Sequence, residues 1–248
     1  MFEPECGVRR GKRCRASERG HPRLGRRPYR RSDRWGGGDS VDVGAGLNAG
    51  AGIDVAVLDT GIDLDHPDLG DNIQGNVTFV VGTATGDDDA GHGTHVAGSI
   101  ASEDNALGML GVAPQTNLYT VKVLNSQGKG TIADLVMGLE WAMGLHGGLL
   151  VDVINMSLGT TVHFQTLEDA IVAAHNAEIV IVAAAGNGGN CSGTGDSVEY
   201  PGRYDEVIAV VSINSNDSTP CTSATGPDVE IAAPGVSILS TIPEEDTG

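Results

Sequence analysis

The chain has 248 residues, a net charge of −18 at pH 7, 40% hydrophobic residues and only 4% aromatic residues. It is long enough for one large α/β domain or two small ones. The core must be filled by Val, Ile, Leu and Ala because aromatic side chains are scarce. No apolar run approaches the roughly 18 to 20 residues that span a bilayer, and residues 1–30 lack the apolar region of a secretory signal peptide, so we expect no membrane association.

The charge is divided unevenly along the chain. Residues 1–40 carry twelve Arg or Lys and five Asp or Glu, whereas residues 41–248 carry 28 acidic residues and only three cations, Lys122, Lys129 and Arg203. A region with a net charge of −25 repels nucleic acid phosphates, so we expect no nucleic-acid partner. Such acidity is typical of proteins from high-salt organisms, where the Debye length falls to about 3 Å at 1 M. An ordinary acidic secreted protein is the alternative.

The Arg-rich arm of residues 1–40 has two interpretations. Its pairs of arginines could bind nucleic acid. Its weak apolar periodicity, and a composition unlike that of everything after Gly44, favour a disordered extension or a mis-assigned start. We therefore treat residues 1–40 as separate, and expect residues 41–248 to form one incomplete domain.

Short apolar runs alternate with amphipathic segments after a connection at residues 44–52. Five runs predict buried strands at residues 53–58, 118–124, 151–155, 179–184 and 207–211. Helical spacing predicts one helix from Ile132, Leu135, Val136, Leu139 and Met143, and another from Leu167, Ala170, Ile171 and Ala174. This alternation predicts right-handed crossovers and an α/β fold with a mostly parallel sheet flanked by helices.

Candidate functional residues follow two of these strands, at the edge where open parallel sheets bind ligands. Asp59 ends the phrase VAVLD, where a partly desolvated carboxylate needs a partner such as an imidazole N–H. An aspartate that caps the turn at Thr60 and Gly61 is the alternative. Asn187 follows the phrase AAAG and could donate to an oxyanion, although an asparagine in a left-handed Gly-rich turn is the alternative.

His92 lies between two glycines in the phrase GHGTHVAG, at the predicted start of a helix of small residues. A helix start holds a functional side chain firmly, which favours a general base. His92 and His95 could share a helix face as metal ligands. No Glu or Cys stands at the required spacing, and the acidic run at residues 87–89 is interpreted as a solvated loop, so metal binding is not favoured.

In this order, the three phrases resemble the subtilisin-like serine proteases. The resemblance extends over about residues 53–243, through the phrases HPDL, LGVAP, VKVL, NMSLG and APGV. It implies the three-layer subtilisin-like fold, with Asp59 as the orienting acid, His92 as the general base and Asn187 as the oxyanion donor.

The resemblance also implies a substrate and a metal. An extended polypeptide would dock between two segments, Gly128, Lys129, Gly130 and Ser157, Leu158, Gly159, against a pocket wall of Ala184, Ala185 and Gly186. A structural calcium ion would be held by Asp68, Glu103, Asn105, Leu107 and Met109, for which an ordinary polar loop is the alternative. No catalytic cofactor is implied, and we expect an extracellular protein that is monomeric at full length.

The nucleophile is where the chain departs from the family. The family carries its serine in a GTSMA phrase after the segment that matches residues 233–243, and the chain ends at Gly248 without that phrase. Ser223 precedes that segment and Ser157 belongs to a docking segment, so neither is taken as the nucleophile. We expect a C-terminally truncated endopeptidase fragment that is unstable and inactive alone; a non-catalytic, protease-like peptide-binding module is the alternative.

Four cysteines leave one question open. Cys6 and Cys14 lie in the arm, and no pair has the spacing of a zinc or thioredoxin-type motif. Cys191 and Cys221 could form a disulfide in an extracellular protein or remain two separate buried thiols.

Overall fold

A computed structural model of the protein describes residues 49–244. Within these residues, seven strands form one sheet in which every neighbouring pair is parallel. They are β1 (Asp54–Asp59), β2 (Ile73–Thr78), β3 (Asn117–Lys122), β4 (Val153–Met156), β5 (Val180–Ala184), β6 (Ile208–Ile213) and β7 (Ile231–Pro234). Their order across the sheet is β2-β3-β1-β4-β5-β6-β7, which confirms the predicted α/β class with a mostly parallel sheet.

In the described part of the chain, three α-helices cover the sheet, in addition to a short 3₁₀ helix at Gly70–Asn72. They are α1 (His92–Ala101), α2 (Ile132–Ala142) and α3 (Gln165–Asn176). α2 begins with a capping box, in which Thr131 Oγ1 accepts from Asp134 N and the Asp134 carboxylate accepts from Thr131 N. The two helices predicted from apolar spacing correspond to α2 and α3.

The central strand β1 shows how the layers are formed. Ala56 and Leu58 join the larger core cluster, which also contains buried residues of α2 and α3. Val55 and Val57 join a second cluster with Ala97 and Ala101 of α1. Successive side chains of a strand point to opposite faces, so an uninterrupted apolar run reflects burial on both sides.

Two strands were not predicted because neither carries an apolar run as long as that of β1. β2 has the sequence IQGNVT and lies at one edge of the sheet, where none of its residues is fully buried. β7 is only four residues long, ends in Pro234 and lies at the other edge, as expected for a strand that contains proline.

Several expectations concern parts of the chain that the structure does not describe. The arm of residues 1–40 and its boundary at residue 41 lie outside residues 49–244, so the division into two regions stays a prediction. Within residues 49–244, no helix has the length and apolar character needed to cross a bilayer.

Candidate active site

Three adjacent strands in the middle of the sheet bring the predicted residues to one edge. β1, β4 and β5 are neighbours and run parallel, so their carboxyl ends lie side by side. Asp59 is the last residue of β1, and Asn187 follows the end of β5 by three residues. His92 is the first residue of α1 and reaches the same edge, because its ring contacts Asp59.

The predicted acid and base are in direct contact. His92 Nδ1 lies 2.7 Å from Asp59 Oδ1, which also accepts from the backbone N–H of Thr60 at 2.7 Å. The carboxylate is fully buried, whereas the imidazole is 54% exposed. A carboxylate that accepts from Nδ1–H fixes the tautomer and leaves Nε2 free to act as a base.

A glycine allows this contact to form. A Cβ at position 93 would collide with the carbonyl oxygen of Gly61 and would lie 3.1 Å from Asp59 Cβ. The backbone at the start of α1 can therefore approach the end of β1 only because residue 93 has no side chain. Gly91 precedes the helix with a φ of 94°, a left-handed conformation that favours glycine.

The contact with Asp59 shifts the protonation of His92. The pKa of His92 is raised above its usual 6.5, first because the hydrogen bond to Asp59 favours the imidazolium. Burial opposes this shift, and the negative charges of Asp59 and Asp88 add to it. The geometry therefore stabilises the charged imidazolium that a general base becomes when it accepts a proton.

Asp88 anchors the start of α1, a role that sequence reasoning missed. Its two carboxylate oxygens accept from the backbone N–H groups of Ala90, Gly91 and Thr94 and from the hydroxyls of Thr60 and Thr94, at 2.6–3.0 Å. Burial alone would raise the pKa of Asp88, but these hydrogen bonds outweigh it and the pKa lies below its usual value. The interpretation of residues 87–89 as a solvated loop is therefore wrong for Asp88.

Lys122 connects the same loop to the end of β1. It is fully buried at the end of β3, in register with Asp59. Its ammonium donates to the carbonyl oxygen of Thr60 and to Asp89 Oδ1, 2.6 Å away. A buried charge requires such partners, so the two aspartates Asp88 and Asp89 hold the loop against the predicted acid–base pair.

The predicted oxyanion donor is accessible. Asn187 is exposed, and its side chain makes no hydrogen bond within residues 49–244. Its φ is not positive, unlike that of Gly186 (104°) before it, so it is not an asparagine in a left-handed turn. Ala184 ends β5, and the backbone carbonyls of Ala185 and Gly186 accept from Glu199 N and Ala224 N.

The two predicted docking segments lie outside the named strands. Gly128, Lys129 and Gly130 are exposed, in a turn where Asn125 N donates to Lys129 O, just before α2. Ser157, Leu158 and Gly159 directly follow β4. Leu158 packs against the larger core cluster, whereas Gly159 is exposed. Both segments thus present backbone near the edge that carries Asp59 and Asn187.

The predicted calcium residues are grouped at another place. Glu103 N donates to Asp68 O at 3.0 Å, and Met109 N donates to Asp68 Oδ2 at 3.3 Å. Asn105 Nδ2 donates to Glu103 Oε2, and Leu107 N donates to Asn105 Oδ1. Asp68 Oδ1 is buried without a hydrogen-bond partner among the described residues. Four of the five residues therefore belong to one loop, which folds over the buried carboxylate of the fifth, Asp68.

The two serines that were not taken as the nucleophile both form hydrogen bonds in the structure. Ser223 is buried, and its hydroxyl accepts from Ser212 N of β6 at 2.9 Å. Ser157 Oγ accepts from Asn155 Nδ2 at 3.1 Å. Neither hydroxyl is hydrogen-bonded to His92.

The open question about the cysteines has an answer in the structure. Cys191 and Cys221 form a disulfide. The bond joins the loop after Asn187 to the loop after β6, where Gly189 N also donates to Thr222 O. Cys6 and Cys14 lie outside the described residues.

Comparisons with known proteins agree on one family. The sequence profile of the subtilase family, Peptidase S8, matches residues 50–247. The chain is 47% identical to subtilisin DY from Bacillus licheniformis over 194 residues, or 78% of this chain and 68% of that protein. It is 46% identical to the thermostable alkaline protease of Halalkalibacterium halodurans over 192 residues, or 77% of this chain and 50% of that protein.

A third relative gives the same result over a similar length of the chain. Identity to subtilisin E of Bacillus subtilis is 45% over 195 residues, or 78% of this chain and 49% of that protein. The chain thus spans about two thirds of subtilisin DY and about half of the other two relatives. The profile matches most of the chain, and the three relatives are 45–47% identical to it. The chain therefore belongs to the subtilase family of proteases.

Proposed function

We propose that the protein is a serine endopeptidase in which Asp59, His92 and Asn187 act together on extended polypeptides. The observation that carries the proposal is the 2.7 Å contact between His92 Nδ1 and the buried Asp59 carboxylate. An imidazole that is oriented on one side and exposed on the other is what the activation of a serine hydroxyl requires.

The chemistry follows from this arrangement. His92 Nε2 takes the proton of the serine hydroxyl as its oxygen attacks the scissile carbonyl, and later gives that proton to the leaving amine. Asp59 stabilises the imidazolium between these steps. The exposed amide of Asn187 donates to the oxyanion of the tetrahedral intermediate. Backbone groups of residues 128–130 and 157–159 pair with the substrate as an added strand.

The serine is proposed to lie C-terminal to residues 233–243, as in the family phrase GTSMA. Residues 1–248 contain no such phrase, and we propose that they turn over no substrate by themselves. The test is hydrolysis of a chromogenic peptide by the full-length protein and by residues 1–248, each with and without phenylmethylsulfonyl fluoride. Inhibitor-sensitive turnover by the full-length protein supports the proposal, and turnover by residues 1–248 contradicts the placement of the serine.

A structural calcium ion is the second part of the proposal. Asp68 Oδ1 is buried without a partner among the described residues, and the loop of residues 103–109 folds over the same carboxylate, which together favour a bound cation there. Glu103, the Asn105 side chain and the carbonyls of Leu107 and Met109 would complete an all-oxygen site, which suits calcium. Residues 49–244 hold no group of three or more His, Cys, Asp or Glu side chains suited to a metal, so the site would depend on these amide and carbonyl oxygens.

The calcium proposal is tested by thermal unfolding with calcium and with EGTA. We expect EGTA to lower the Tm of the wild type and to leave that of Asp68→Asn unchanged. Equal Tm values of the wild type in the two conditions would contradict the proposal.

We further propose that the protein is secreted, monomeric and adapted to high salt. The Cys191–Cys221 disulfide supports an oxidising compartment. Within residues 49–244, the only ion pairs of Lys or Arg are those of Lys122 with Asp89 and of Arg203 with Asp196 and Asp228. Most of the acidic side chains therefore repel one another until salt screens them. A Tm that does not rise between low and molar salt would contradict the adaptation.

A further inference from the structure

The Glu199 carboxylate lies between two of the candidate substrate segments, residues 157–159 and 184–186. A Cβ built on Gly159 would lie 2.5 Å from Glu199 Oε2, and a Cβ built on Gly186 would lie 2.6 Å from Glu199 Cδ. A Cβ on Gly188 would lie 3.8 Å from Glu199 Oε1. The end of the Glu199 side chain thus lies against backbone of both the segment after β4 and the segment after β5.

The backbone fixes Glu199 in this place. Glu199 N donates to Ala185 O at 2.8 Å, which joins residue 199 to the segment after β5. The next residue, Tyr200, exchanges two backbone hydrogen bonds of 2.8 Å with Thr160, which follows Gly159. Residue 199 is therefore held between the two walls, and glycines at positions 159 and 186 leave the room that its side chain occupies.

The Glu199 carboxylate has no partner within residues 49–244. It makes no hydrogen bond and no ion pair there, although the side chain is half-buried. Arg203 is four residues away in sequence but pairs with Asp196 and Asp228. Lys122 is buried against Asp89, and Lys129 lies in an exposed turn. A partly desolvated carboxylate without a cation favours a positively charged ligand.

We propose that Glu199 selects substrates with lysine or arginine immediately before the scissile bond. The inference rests on the proposed function, because that function makes the wall of Ala184, Ala185 and Gly186 part of the pocket for this residue. The aliphatic stem of Lys or Arg would lie along the small residues of the wall. Its ammonium or guanidinium group would pair with Glu199, as an acidic residue does at the base of a pocket that selects basic side chains.

The test compares two peptide anilides that differ only in the residue before the scissile bond, lysine or its uncharged analogue norleucine. With the full-length protein, we expect kcat/KM to favour lysine by about 10- to 100-fold, the range of a charge-assisted hydrogen bond. Glu199→Gln should reduce this ratio to near one, and Glu199→Asp should retain part of it. Equal ratios in the wild type and Glu199→Gln would overturn the inference.

A matched control removes the same charge elsewhere. Glu178 is exposed and precedes β5, at the opposite edge of the sheet from the candidate site. Glu178→Gln should leave the lysine-to-norleucine ratio at the wild-type value. If the ratio falls equally in this variant, the general acidity of the protein and not Glu199 causes the preference, and the inference is wrong.

A binding measurement separates the inference from the proposed function. Peptides that end in lysine or norleucine mimic the product on this side of the bond, and calorimetric titration needs no cleavage. If no anilide is hydrolysed but the lysine peptide binds more tightly through Glu199, the proposed function fails and the pocket assignment stands. If both anilides are cleaved with no dependence on Glu199, the function stands and the assignment fails.

Discussion

The two halves of the candidate site differ in how their polar side chains are satisfied. The relay half consists of Asp59, Asp88 and His92. Its carboxylates are buried and accept hydrogen bonds from backbone and side chains, although one oxygen, Asp59 Oδ2, has no partner within residues 49–244. The substrate half consists of Asn187 and Glu199, whose side chains make no hydrogen bond within the described residues.

This difference indicates which parts are complete before a substrate binds. In the relay half, the protein itself fixes the geometry, which is the preorganisation that catalysis requires. In the substrate half, under the proposed function, the missing partners are ones that a peptide would supply. Substitutions in the relay half should therefore disturb chemistry or folding, whereas those in the substrate half should change rate or selectivity with the fold intact.

The largest effect is expected in the relay half, for Asp59→Asn. The amide cannot hold the tautomer that leaves Nε2 free, so kcat of the full-length protein should fall by about 10⁴-fold, close to the loss known for the equivalent acid in subtilisin itself. Steady-state hydrolysis of a peptide anilide measures this. Asp169→Asn, on an exposed position of α3, is the control. A loss below about tenfold would show that the contact is structural.

The next effect belongs to the substrate half. Asn187→Ala should lower kcat by about 10²- to 10³-fold, as removal of the oxyanion donor does in subtilisin itself, with KM little changed. Because the Asn187 side chain makes no hydrogen bond within residues 49–244, the Tm should not change. A lower Tm with full activity would place Asn187 among the structural residues and would weaken the comparison between the halves.

Asp88→Ala tests the opposite expectation, a large effect on stability. The substitution removes the acceptor of three backbone N–H groups at the start of α1. We expect the free energy of unfolding to fall by about 2–4 kcal/mol, the cost of a lost cap together with unpaired buried groups. Urea unfolding measures this, with Asp87→Ala as the control because Asp87 is exposed and its side chain accepts, within residues 49–244, only from Leu64 N. Equal stabilities of the two variants would contradict the anchoring role of Asp88.

The sequence predicts best those features whose signal is local. The apolar run of β1 and the helix after His92 each carry a continuous pattern, and Asp59 and His92 lie at the ends of these two elements. β2 and β7 are held at the sheet edges by pairing with β3 and β6. β2 contains no alternating or continuous apolar run, and the apolar run of β7, Ile231-Ala232-Ala233, is too short to indicate a strand, so no local pattern indicates either.

The residues that sequence reasoning missed depend on contacts distant along the chain. Glu199 reaches the site because its backbone is bonded to Ala185 and its neighbour Tyr200 to Thr160, some 40 positions earlier. Asp88 lies in an acidic run, and only the folded loop distinguishes it from its exposed neighbour Asp87. Composition cannot separate a buried acceptor from a solvated charge, so both roles require the structure.

The smallest effect concerns the protonation of His92. Its pKa is raised above 6.5, with the hydrogen bond to Asp59 as the largest cause. Because the base must be neutral, kcat/KM of the full-length protein should rise with pH through this raised pKa. The same titration acts on folding in the opposite direction. A pKa that is higher in the folded state contributes stability that is fully present below pH 6.5 and is lost as pH rises through the folded value.

NMR titration of the His92 ring checks this coupling without relying on turnover. In Asp59→Asn the pKa of His92 should fall, because the hydrogen bond and the charge of Asp59 are both lost. Burial still lowers this pKa, and only the more distant charge of Asp88 still raises it. Glu199→Gln, in the substrate half, should leave the His92 titration where it is in the wild type. If the pKa of His92 responded equally to both substitutions, the two halves would share one electrostatic environment. The relay would then depend on the charge of the whole site, and its geometry would not be fixed by Asp59 alone.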